Sequence, residues 1–567
     1  MKKSTSVVVS IFALILAGFI PNPSSAAPDL NKYAWPPSYN VGNYGQQPLL
    51  GYLINLVDDY TQGNTGESYS FIRVLPGTQR WCRDFKDAAC IKEIETIGNF
   101  WTNQVLPPCA NEADLINCIE AVNLINSDGS KEKLVMEKLI PGNTWPEETS
   151  PKVEAGSSAS RWVSALETNS NKGFKVTVSG GLGLTMTSRT SVSSARLISF
   201  AASVEPFEKI NGNFMPPKVY EPPSGIRGFG GNAPNYCIWS DINECGVLTD
   251  FPRETKVELV LHLPTEISGW LLGRVDQPVF NSQRIGASRV TGQGLSRVTI
   301  SAYPVNVPLF STTVDLADAS PELKAYYQEN EFCKNKLPAC TGYFGGNITG
   351  SNFDYAYKLF QYFEKSFKDT ANIVVPRWSI KSLSMFDTSY DSCKSVSPTQ
   401  INGIVSTNSS IYQGSPPAFE NDAFTYKVAG LHYLPNKEVF QGSYDLVLKS
   451  EFARCLYGFS KAPISATVEV TSADGANNVV TNNFAEKNGW INLSIKGFTF
   501  SQPTIKTRFV QEKIIAQPSP TPTTEPSASP SPVLAISKKS TITCVKGKQT
   551  KKVTAVKPKC PAGFKKK

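Results

Sequence analysis

The chain has 567 residues, of which 40% are hydrophobic and 18% are charged, and this composition supports folded cores and excludes a wholly disordered protein. Its twelve cysteines are too few to make so long a chain a disulfide knot, and the length corresponds to about three or four domains of roughly 150 residues. The formal net charge of +8 comes from one end, because residues 538–567 contain 11 lysines and no acid, which leaves −3 for everything before them.

The first 26 residues have the layout of a secretory signal peptide. Two lysines precede an apolar run over residues 7–20, and small residues lead to an expected cleavage after Ala26. An uncleaved membrane anchor is the alternative, but the run has about 14 residues and a spanning helix needs about 20. We therefore predict an exported protein that is secreted or associated with the cell surface and does not span the membrane.

Export places the cysteines in an oxidising compartment, where an even number indicates disulfide bonds. Closeness in sequence suggests five pairs and leaves two cysteines for a longer bridge. The expected pairs are Cys82 with Cys90, Cys109 with Cys118, Cys237 with Cys245, Cys333 with Cys340, Cys544 with Cys560, and Cys393 with Cys455. No Cys-x-x-Cys motif occurs, so the spacing indicates neither a redox motif nor a zinc knuckle.

Alternating apolar residues predict strands along most of the body. The alternation is clearest over residues 256–263, where four aliphatic side chains share one face and His262 points to the opposite, outward face. It recurs over residues 174–178 and 298–309, where Pro304 indicates a sheet edge or a bulge.

Helical patterns are few. Asn352 is placed to cap a helix whose phenylalanine stripe runs from Phe353 to Phe367, and we interpret this stripe as core rather than as a binding surface. Pro321 marks the start of a second helix, and a third is predicted over residues 90–97.

The clearest domain candidate is residues 401–515, where short strands and turn signals predict a β-sandwich of immunoglobulin-like size. The predicted fold class is mainly β, with β-sandwich-like modules, a few short helices, stabilising disulfides, a disordered linker and a small C-terminal hairpin. The predicted organisation is a signal peptide at 1–26, a β-rich region of one or two domains at 27–315, a helix-containing connecting region at 316–400, the sandwich-like domain at 401–515, a Pro/Ser/Thr-rich linker at 516–537 and a Lys-rich hairpin module at 538–567.

Beyond the linker, residues 540–545 and 552–556 predict two strands joined by a turn at 547–550 and tied by Cys544 and Cys560. Lysines crowd this short hairpin and predict that it binds an anionic polymer of the cell envelope. The polyanion-binding candidates are Lys546, Lys548, Lys551, Lys552, Lys557 and Lys559. The alternative is a solvated basic end without a dedicated partner, and no groove-reading element indicates specific nucleic-acid binding.

The segment from Ile542-Thr543-Cys544-Val545-Lys546-Gly547 through Cys560-Pro561-Ala562-Gly563-Phe564 resembles a short C-terminal module. That module occurs on many exported, mostly uncharacterised proteins of high-GC Gram-positive bacteria. The resemblance implies export and surface association, and it implies no particular activity. The body is loosely similar to other uncharacterised exported proteins of these bacteria at residues 454–458 and 488–490.

Sequence motifs for catalysis are absent, including Gly-x-Ser-x-Gly, His-Glu-x-x-His and the Walker loop. The only histidines, His262 and His432, lie in separate strand-like segments without a carboxylate partner nearby in sequence. We expect both to have surface or packing roles, and we predict no catalytic residue, no cofactor and no His-based zinc site.

The short loop within residues 237–245 is the one local candidate for chemistry. Asp241, Asn243 and Glu244 offer the hard oxygen ligands that Ca²⁺ prefers. Asp241 and Glu244 could instead act as an acid/base pair on a sugar, with Trp239 as a stacking platform. A capped, solvated loop without chemistry is the alternative.

Three hypotheses about function follow from these patterns. The first is a non-enzymatic exported protein whose body binds a saccharide or protein ligand, or adheres, and whose basic end binds an anionic envelope polymer. The second is an exported carbohydrate-active hydrolase that uses paired carboxylates. The third is a structural envelope component that self-associates through sheet edges. A deep cleft with converging carboxylates would favour the hydrolase, and a shallow surface with exposed rings would favour binding.

Overall fold

The chain forms two compact units, residues 1–512 and residues 513–567. The expected signal peptide, the helix expected at 90–97, the pair of Cys333 with Cys340 and the linker at 516–537 lie outside the described residues. The computed structural model describes residues 30, 32, 49–58, 69–74, 80–82, 84–86, 100–166, 171–188, 191–220, 228–230, 236–329, 342–383, 393, 401–461, 463–471, 481–500, 504–511, 540–546, 549–555, 558–561 and 563–566.

Strands dominate the described residues, and the prediction of a mainly β, disulfide-stabilised fold with a few short helices is confirmed. The first eighteen strands are β1 (Leu49–Val57), β2 (Phe71–Val74), β3 (Arg80–Cys82), β4 (Phe100–Val105), β5 (Cys118–Ile125), β6 (Lys131–Leu139), β7 (Glu148–Thr149), β8 (Lys152–Val153), β9 (Ser160–Ser164), β10 (Lys172–Gly180), β11 (Leu182–Ser188), β12 (Ser191–Leu197), β13 (Ala201–Asn211), β14 (Lys218–Tyr220), β15 (Gly228–Gly230), β16 (Cys237–Asp241), β17 (Glu244–Leu248) and β18 (Lys256–Pro264). The remaining strands are β19 (Gly269–Ala287), β20 (Gly294–Leu309), β21 (Ser311–Asp315), β22 (Gly342–Thr349), β23 (Ile373–Arg377), β24 (Ser379–Ser382), β25 (Ile401–Thr407), β26 (Ile411–Tyr412), β27 (Ala418–Glu420), β28 (Ala423–Ala429), β29 (Gly442–Lys449), β30 (Ile464–Thr471), β31 (Thr481–Lys487), β32 (Trp490–Phe498), β33 (Thr504–Gln511), β34 (Ser540–Lys546), β35 (Gln549–Ala555) and β36 (Lys565–Lys566). The helices of the described residues are α1 (Pro321–Glu329), α2 (Phe353–Phe367) and α3 (Ser450–Tyr457).

Nine antiparallel strands of the first unit close on themselves, and we call them the ring. In spatial order they are β19, β20, β18, β5, β6, β9, β10, β13 and β24, which pairs with β19 again. The 19-residue strand β19 makes both contacts, because its residues 271–274 pair with β24 and its residues 275–287 pair with β20. Aliphatic side chains such as Val176, Val204 and Leu259 form one buried core among these strands.

The alternation predicted over residues 256–263 forms β18, but this strand is buried on both faces. The prediction that His262 lies on an outward face is wrong, since the side chain is 1% exposed beneath the segment that leads into β5, and of the surface and packing roles expected for it the burial favours packing. Pro304 lies where β20 changes partners: it is opposite Val275 of β19, and from Val305 onward the strand pairs with β23.

Residues 401–511 contain two facing sheets. One sheet has the order β25-β29-β32-β31, which we call the arm, and the other has the order β26-β28-β33-β30. Tyr444 and Leu446 of the arm share a core with Phe424 and Phe509 of the facing sheet. The sandwich is continuous with the ring, because β25 pairs in parallel with β19, and the sheet therefore crosses the domain boundary expected at residue 400.

The phenylalanine stripe of α2 is buried against a three-stranded sheet formed by β1, β21 and β22. Phe310 makes the central contacts, with ring centroids 5.7 Å from Phe360 and 4.2 Å from Phe367. The interpretation of the stripe as core is confirmed. Asn352 occupies the N-cap position, but its side chain makes no capping hydrogen bond. Among the helices described, none combines the length and the apolar character that crossing a membrane requires.

Candidate functional site

A cavity of about 380 Å³ opens where the ring meets the arm. Its walls come from the end of β18 and the turn after it, the second half of β19, β20, and the nearest residues of β25, β29 and β32. The lining consists of Phe200, Leu263, Pro264, Thr265, Ile267, Phe280, Asn281, Ser282, Arg284, Ser296, Val298, Ile401, Lys449 and Trp490. These segments are distant in sequence and meet because β19, a strand of the ring, also pairs with β25 of the arm.

The floor of the cavity is apolar. Its buried members also belong to the ring core, so the cavity is an indentation in a packed interior. These floor residues are Phe200, Leu263, Ile267, Phe280, Val298 and Ile401. They offer no side-chain donor or acceptor, which makes this end of the cavity suited to a hydrocarbon surface.

The mouth of the cavity is polar and basic. Arg284 is exposed and Lys449 is half-buried, and no Asp or Glu lines the cavity in the described part of the chain. Arg284 makes no ion pair with any carboxylate of the described residues. Hydroxyl groups of Ser282 and Ser296 add neutral hydrogen-bonding groups to the lining.

Trp490 is held between the floor and the mouth. It begins β32 directly after a tight turn in which Asn488 and Gly489 both have positive φ, 54° and 78°, as a two-residue hairpin turn requires. Its indole is edge-on to Phe280 with ring centroids 5.6 Å apart, and its strand partner across the arm is Lys449. The turn therefore sets an aromatic face beside a cation.

The carboxylates of the 237–245 loop are engaged by basic side chains of the same unit. The Lys138 Nζ lies 2.7 Å from Asp241 Oδ2 and 2.6 Å from Glu244 Oε1. Arg161 donates a 2.8 Å hydrogen bond to the same Glu244 oxygen, and Lys209 lies 3.8 Å from Oε2. A Ca²⁺ ion at this position would have to displace these cations.

The environment of Asp241 and Glu244 also opposes an acid/base role. Burial alone would raise the pKa of both carboxyls, but hydrogen bonds from Lys138, with Arg161 adding to the effect, hold both pKa values below their ordinary ones. A general acid at neutral pH needs a raised pKa. Trp239 is buried with the Arg161 guanidinium 4.2 Å from its ring centroid, so its face is not available to a sugar.

Asn243 serves the turn between β16 and β17. It has a positive φ of 59°, its backbone N–H donates to the carbonyl of Phe214, and its own carbonyl accepts from Gly212. These backbone bonds fix the loop without using the amide side chain. The contacts of Asp241, Asn243 and Glu244 together favour a structural role for this loop.

Both histidines have carboxylate partners that come from distant parts of the sequence. His262 Nε2 lies 3.1 Å from Glu120, and its Nδ1–H donates to the Asp114 carbonyl at 2.7 Å. His432 Nδ1 is hydrogen-bonded to the Asp369 carboxylate, which raises the pKa of His432 despite partial burial.

Cys109, Cys118 and His262 are the one close trio of metal-ligating residues in the described ranges. The two cysteines form a disulfide, so they present no thiolate to a metal. Four expected disulfides are present, namely Cys109 with Cys118, Cys237 with Cys245, Cys393 with Cys455, and Cys544 with Cys560. Cys82 is disulfide-bonded as well, and its expected partner Cys90 lies outside the described residues.

A buried acid at the junction of ring and arm escaped the sequence reasoning. Asp445 of β29 is buried beside Asp276 of β19, whose carboxylate pairs with Lys496 at 2.6 Å. Burial first, and then the negative charge of Asp276, raise the pKa of Asp445 to about 7. Asp445 lies between Tyr444 and Leu446 of the sandwich core, on the other face of β29, and only the fold shows that β19 lies against that face. Neither acid lines the cavity.

A second buried charged group joins the ring to the segment after β25. The Arg274 Nε lies 3.2 Å from Asp58 Oδ1, and its two terminal nitrogens donate to the carbonyls of Thr407 and Ser409 at 2.7 and 2.8 Å. The guanidinium also lies 4.4 Å from the ring centroid of Tyr412. This group has no sequence motif, and we assign it a structural role.

The second compact unit is a small sheet with the order β35-β34-β36. Gln549 and Thr550, which were expected in the turn, belong to β35 instead, because they pair with Lys546 and Val545, and residues 547–548 lie outside the described residues. Cys544 is fully buried, and the described residues of this unit include no Asp or Glu. Among the lysines of this unit whose side chains are described, the exposed ones are Lys546, Lys552, Lys559, Lys565 and Lys566.

Of the polyanion-binding candidates, Lys548 and Lys557 lie outside the described residues. Lys551 pairs with Cys544 across the β34–β35 ladder. Lys565 and Lys566 join the candidates through the short third strand, which pairs with Val545 and Cys544. Their position in a run of three lysines at 565–567 gave no sign of a strand.

Comparisons of the chain with protein-family models, with curated proteins and with solved structures return no match.

Proposed function

We propose that this is an exported, non-enzymatic binding protein that is held on an anionic polymer of the cell envelope by its second unit, while the body binds a ligand. The observation that carries the proposal is the concentration of positive charge in residues 540–566. Exposed lysines lie there on a small disulfide-tied sheet without a described acid to neutralise them. Such a surface attracts polyanions through their summed charge.

The disulfides support the exported location. Four pairs are formed within the described residues, and oxidising compartments are where such bonds persist. The signal-peptide pattern of residues 1–26 points the same way.

The body supports binding in preference to hydrolysis. Its cavity is lined by cations, rings and hydroxyls without a carboxylate, whereas the hydrolase hypothesis requires two carboxyl groups that converge on a sugar. Asp241 and Glu244 are occupied by Lys138 and Arg161, and Asp445 is buried away from the cavity. Binding in the cavity is therefore the role that these side chains favour.

The test uses the full chain and purified bacterial cell walls that carry anionic polymer. We expect the protein to sediment with the walls at low salt and to be released as NaCl rises, because exposed charges are screened beyond a Debye length of about 10 Å at 0.1 M. The variant that replaces the exposed lysines of the second unit by glutamine should lose retention at low salt. Its substitutions are Lys546→Gln, Lys552→Gln, Lys559→Gln, Lys565→Gln and Lys566→Gln.

A matched control removes five exposed lysines from the body and should sediment like the wild type. Its substitutions are Lys133→Gln, Lys358→Gln, Lys365→Gln, Lys461→Gln and Lys487→Gln. Retention that is insensitive to salt, or that both variants lose equally, would contradict a specific role for the second unit.

A further inference from the structure

We propose that the cavity between ring and arm binds a small amphipathic carboxylate, with its hydrocarbon body against the apolar floor and its carboxylate at Arg284 and Lys449. This inference rests on the proposed binding role of the body and names the class of ligand. It draws on the shape, the polarity and the charge of the cavity.

The floor selects for hydrocarbon over sugar. Phe200, Ile267, Phe280 and Val298 are each less than a tenth exposed and present only carbon atoms to the cavity. A sugar placed there would bury hydroxyl groups without partners, which is unfavourable, whereas a hydrocarbon surface gains by leaving water.

The mouth selects for a negative group. Arg284 brings a planar guanidinium that matches a carboxylate in geometry, and it has no ion-pair partner among the described residues. Lys449 adds a second cation to the lining. Since no acid of the described residues lines the cavity, nothing in the lining competes with a ligand carboxylate for Arg284.

The volume limits the size of the ligand. About 380 Å³ lies near the lower end of the range of roughly 300–1,000 Å³ for small-molecule pockets. An envelope polymer does not fit within it, so this site and the polyanion-binding unit have different ligands. The indole of Trp490, edge-on to Phe280, offers a flat contact at the side of the cavity.

The experiment is calorimetric titration of the full chain with octanoate and with 1-octanol, which has a tail of the same length and no charge. We expect octanoate to bind at one site per chain and at least tenfold more tightly than 1-octanol. The hydrocarbon body of the ligand is either aromatic or aliphatic, and a third titrant, 4-phenylbutyrate, distinguishes the two. Tighter binding of 4-phenylbutyrate than of octanoate indicates an aromatic body, and weaker binding indicates an aliphatic body.

Three variants locate the binding. Arg284→Gln should weaken octanoate at least fivefold and leave 1-octanol unchanged, and Arg284→Lys should restore part of the loss. Ser282→Trp places a ring at the lining and should weaken both titrants. Arg253→Gln removes an exposed arginine outside the cavity and should change neither. The unfolding temperature of each variant is measured as well, so that a loss of binding can be distinguished from a loss of folding.

The inference is overturned if neither carboxylate binds at millimolar concentration, if 1-octanol binds as tightly as octanoate, or if Ser282→Trp folds and leaves octanoate binding unchanged. The proposal that the second unit binds an envelope polymer can fail independently of this one. The five-lysine variant of the second unit should bind octanoate like the wild type, and Arg284→Gln should sediment with cell walls like the wild type.

Discussion

The backbone N–H of Gln277 donates a 3.0 Å hydrogen bond to Asp445 Oδ2 and so ties the ring to the arm. Gln277 lies in a β-bulge of β19 and has a positive φ of 51°. Ser406 of β25 donates to the same carboxylate oxygen at 3.3 Å. One buried carboxyl therefore accepts hydrogen bonds from two neighbouring strands, and its protonation is coupled to how these strands pack.

The first prediction concerns the pH dependence of stability. Because burial and then the charge of Asp276 raise the pKa of Asp445 to about 7, the folded chain keeps a proton that an unfolded aspartate, with a pKa of about 3.9, releases. Between about pH 4 and pH 7 unfolding then releases a proton, and this group makes stability fall as pH rises. Asp445→Asn should match the wild type near pH 4 and be more stable at pH 8, measured by urea unfolding across the interval.

Asp276→Asn is the companion variant. Removing the neighbouring negative charge should lower the pKa of Asp445 and shift the wild-type decline to lower pH. If the difference in unfolding free energy between wild type and Asp445→Asn stays constant from pH 4 to pH 8, Asp445 does not titrate in this range.

The second prediction concerns His432. Its hydrogen bond to the Asp369 carboxylate raises the pKa of the imidazole, so this pair adds stability below the unfolded pKa of about 6.5 and loses it as pH rises through the folded pKa. Asp369→Asn should lower the pKa of His432, which an NMR titration of the imidazole C–H signals would show. The chain has only two histidines, so His432→Gln assigns the signals, and an unchanged titration in Asp369→Asn would refute the pairing.

The third prediction tests the buried ion pair. Arg274 and Asp58 are 1% and 0% exposed at their side chains, so Arg274→Met leaves Asp58 with less compensation and leaves the carbonyls of Thr407 and Ser409 without this donor. Loss of one partner of a buried pair costs about 3–5 kcal/mol, which urea unfolding at pH 7 would measure.

The matched control is the exposed pair of Lys427 and Asp354, which are 53% and 87% exposed. Lys427→Met should change the unfolding free energy by less than about 1 kcal/mol, because solvent screens such pairs. Equal effects of the two substitutions would show that the burial of Arg274 does not matter to stability.

The fourth prediction concerns the disulfide of the second unit. Cys544 and Cys560 are separated by 16 residues, and a closed loop of about this size contributes about 3 kcal/mol in the chain-entropy description. Replacing both cysteines by alanine should speed amide exchange in β34 and β35 and weaken retention on cell walls, with exchange in the body unchanged. Replacing Cys237 and Cys245 serves as the reciprocal control, since it should affect only the body.

The local sequence patterns predicted individual strands and helices well, but they predicted poorly which elements pack against one another. Alternation located β10, β18 and β20, and the proline and phenylalanine signals located α1 and α2. The helix α3 was not predicted, because its eight residues are short for a helix and lie within a region where the alternation and the turn signals predicted strands. Such patterns report which residues share a face, not which second layer covers that face.

The same limit explains why the sequence did not predict the cavity between ring and arm. Arg284, Lys449 and Trp490 come from three strands that are separated by long stretches of sequence, and no local motif connects them. They converge because β25 pairs in parallel with the first half of β19 while the second half of β19 continues along β20. The 237–245 loop, by contrast, was a candidate because Asp241 and Glu244 lie close together in sequence. Their basic partners Lys138 and Arg161 come from strands that are distant in sequence, so the local pattern did not reveal them.

The last strand to join the ring is β24, only four residues long, and it supplies the hydrogen bonds between β13 and β19. Synthesis proceeds from the N-terminus. In a nascent chain that ends before residue 379, the edges of β13 and β19 that pair with β24 in the complete chain are therefore unpaired. Unpaired strand edges promote pairing between chains. Prematurely terminated products of this gene should therefore aggregate through β13 and β19. The hazard ends for β13 once Ser379–Ser382 is made, and for β19 only once β25 is made as well.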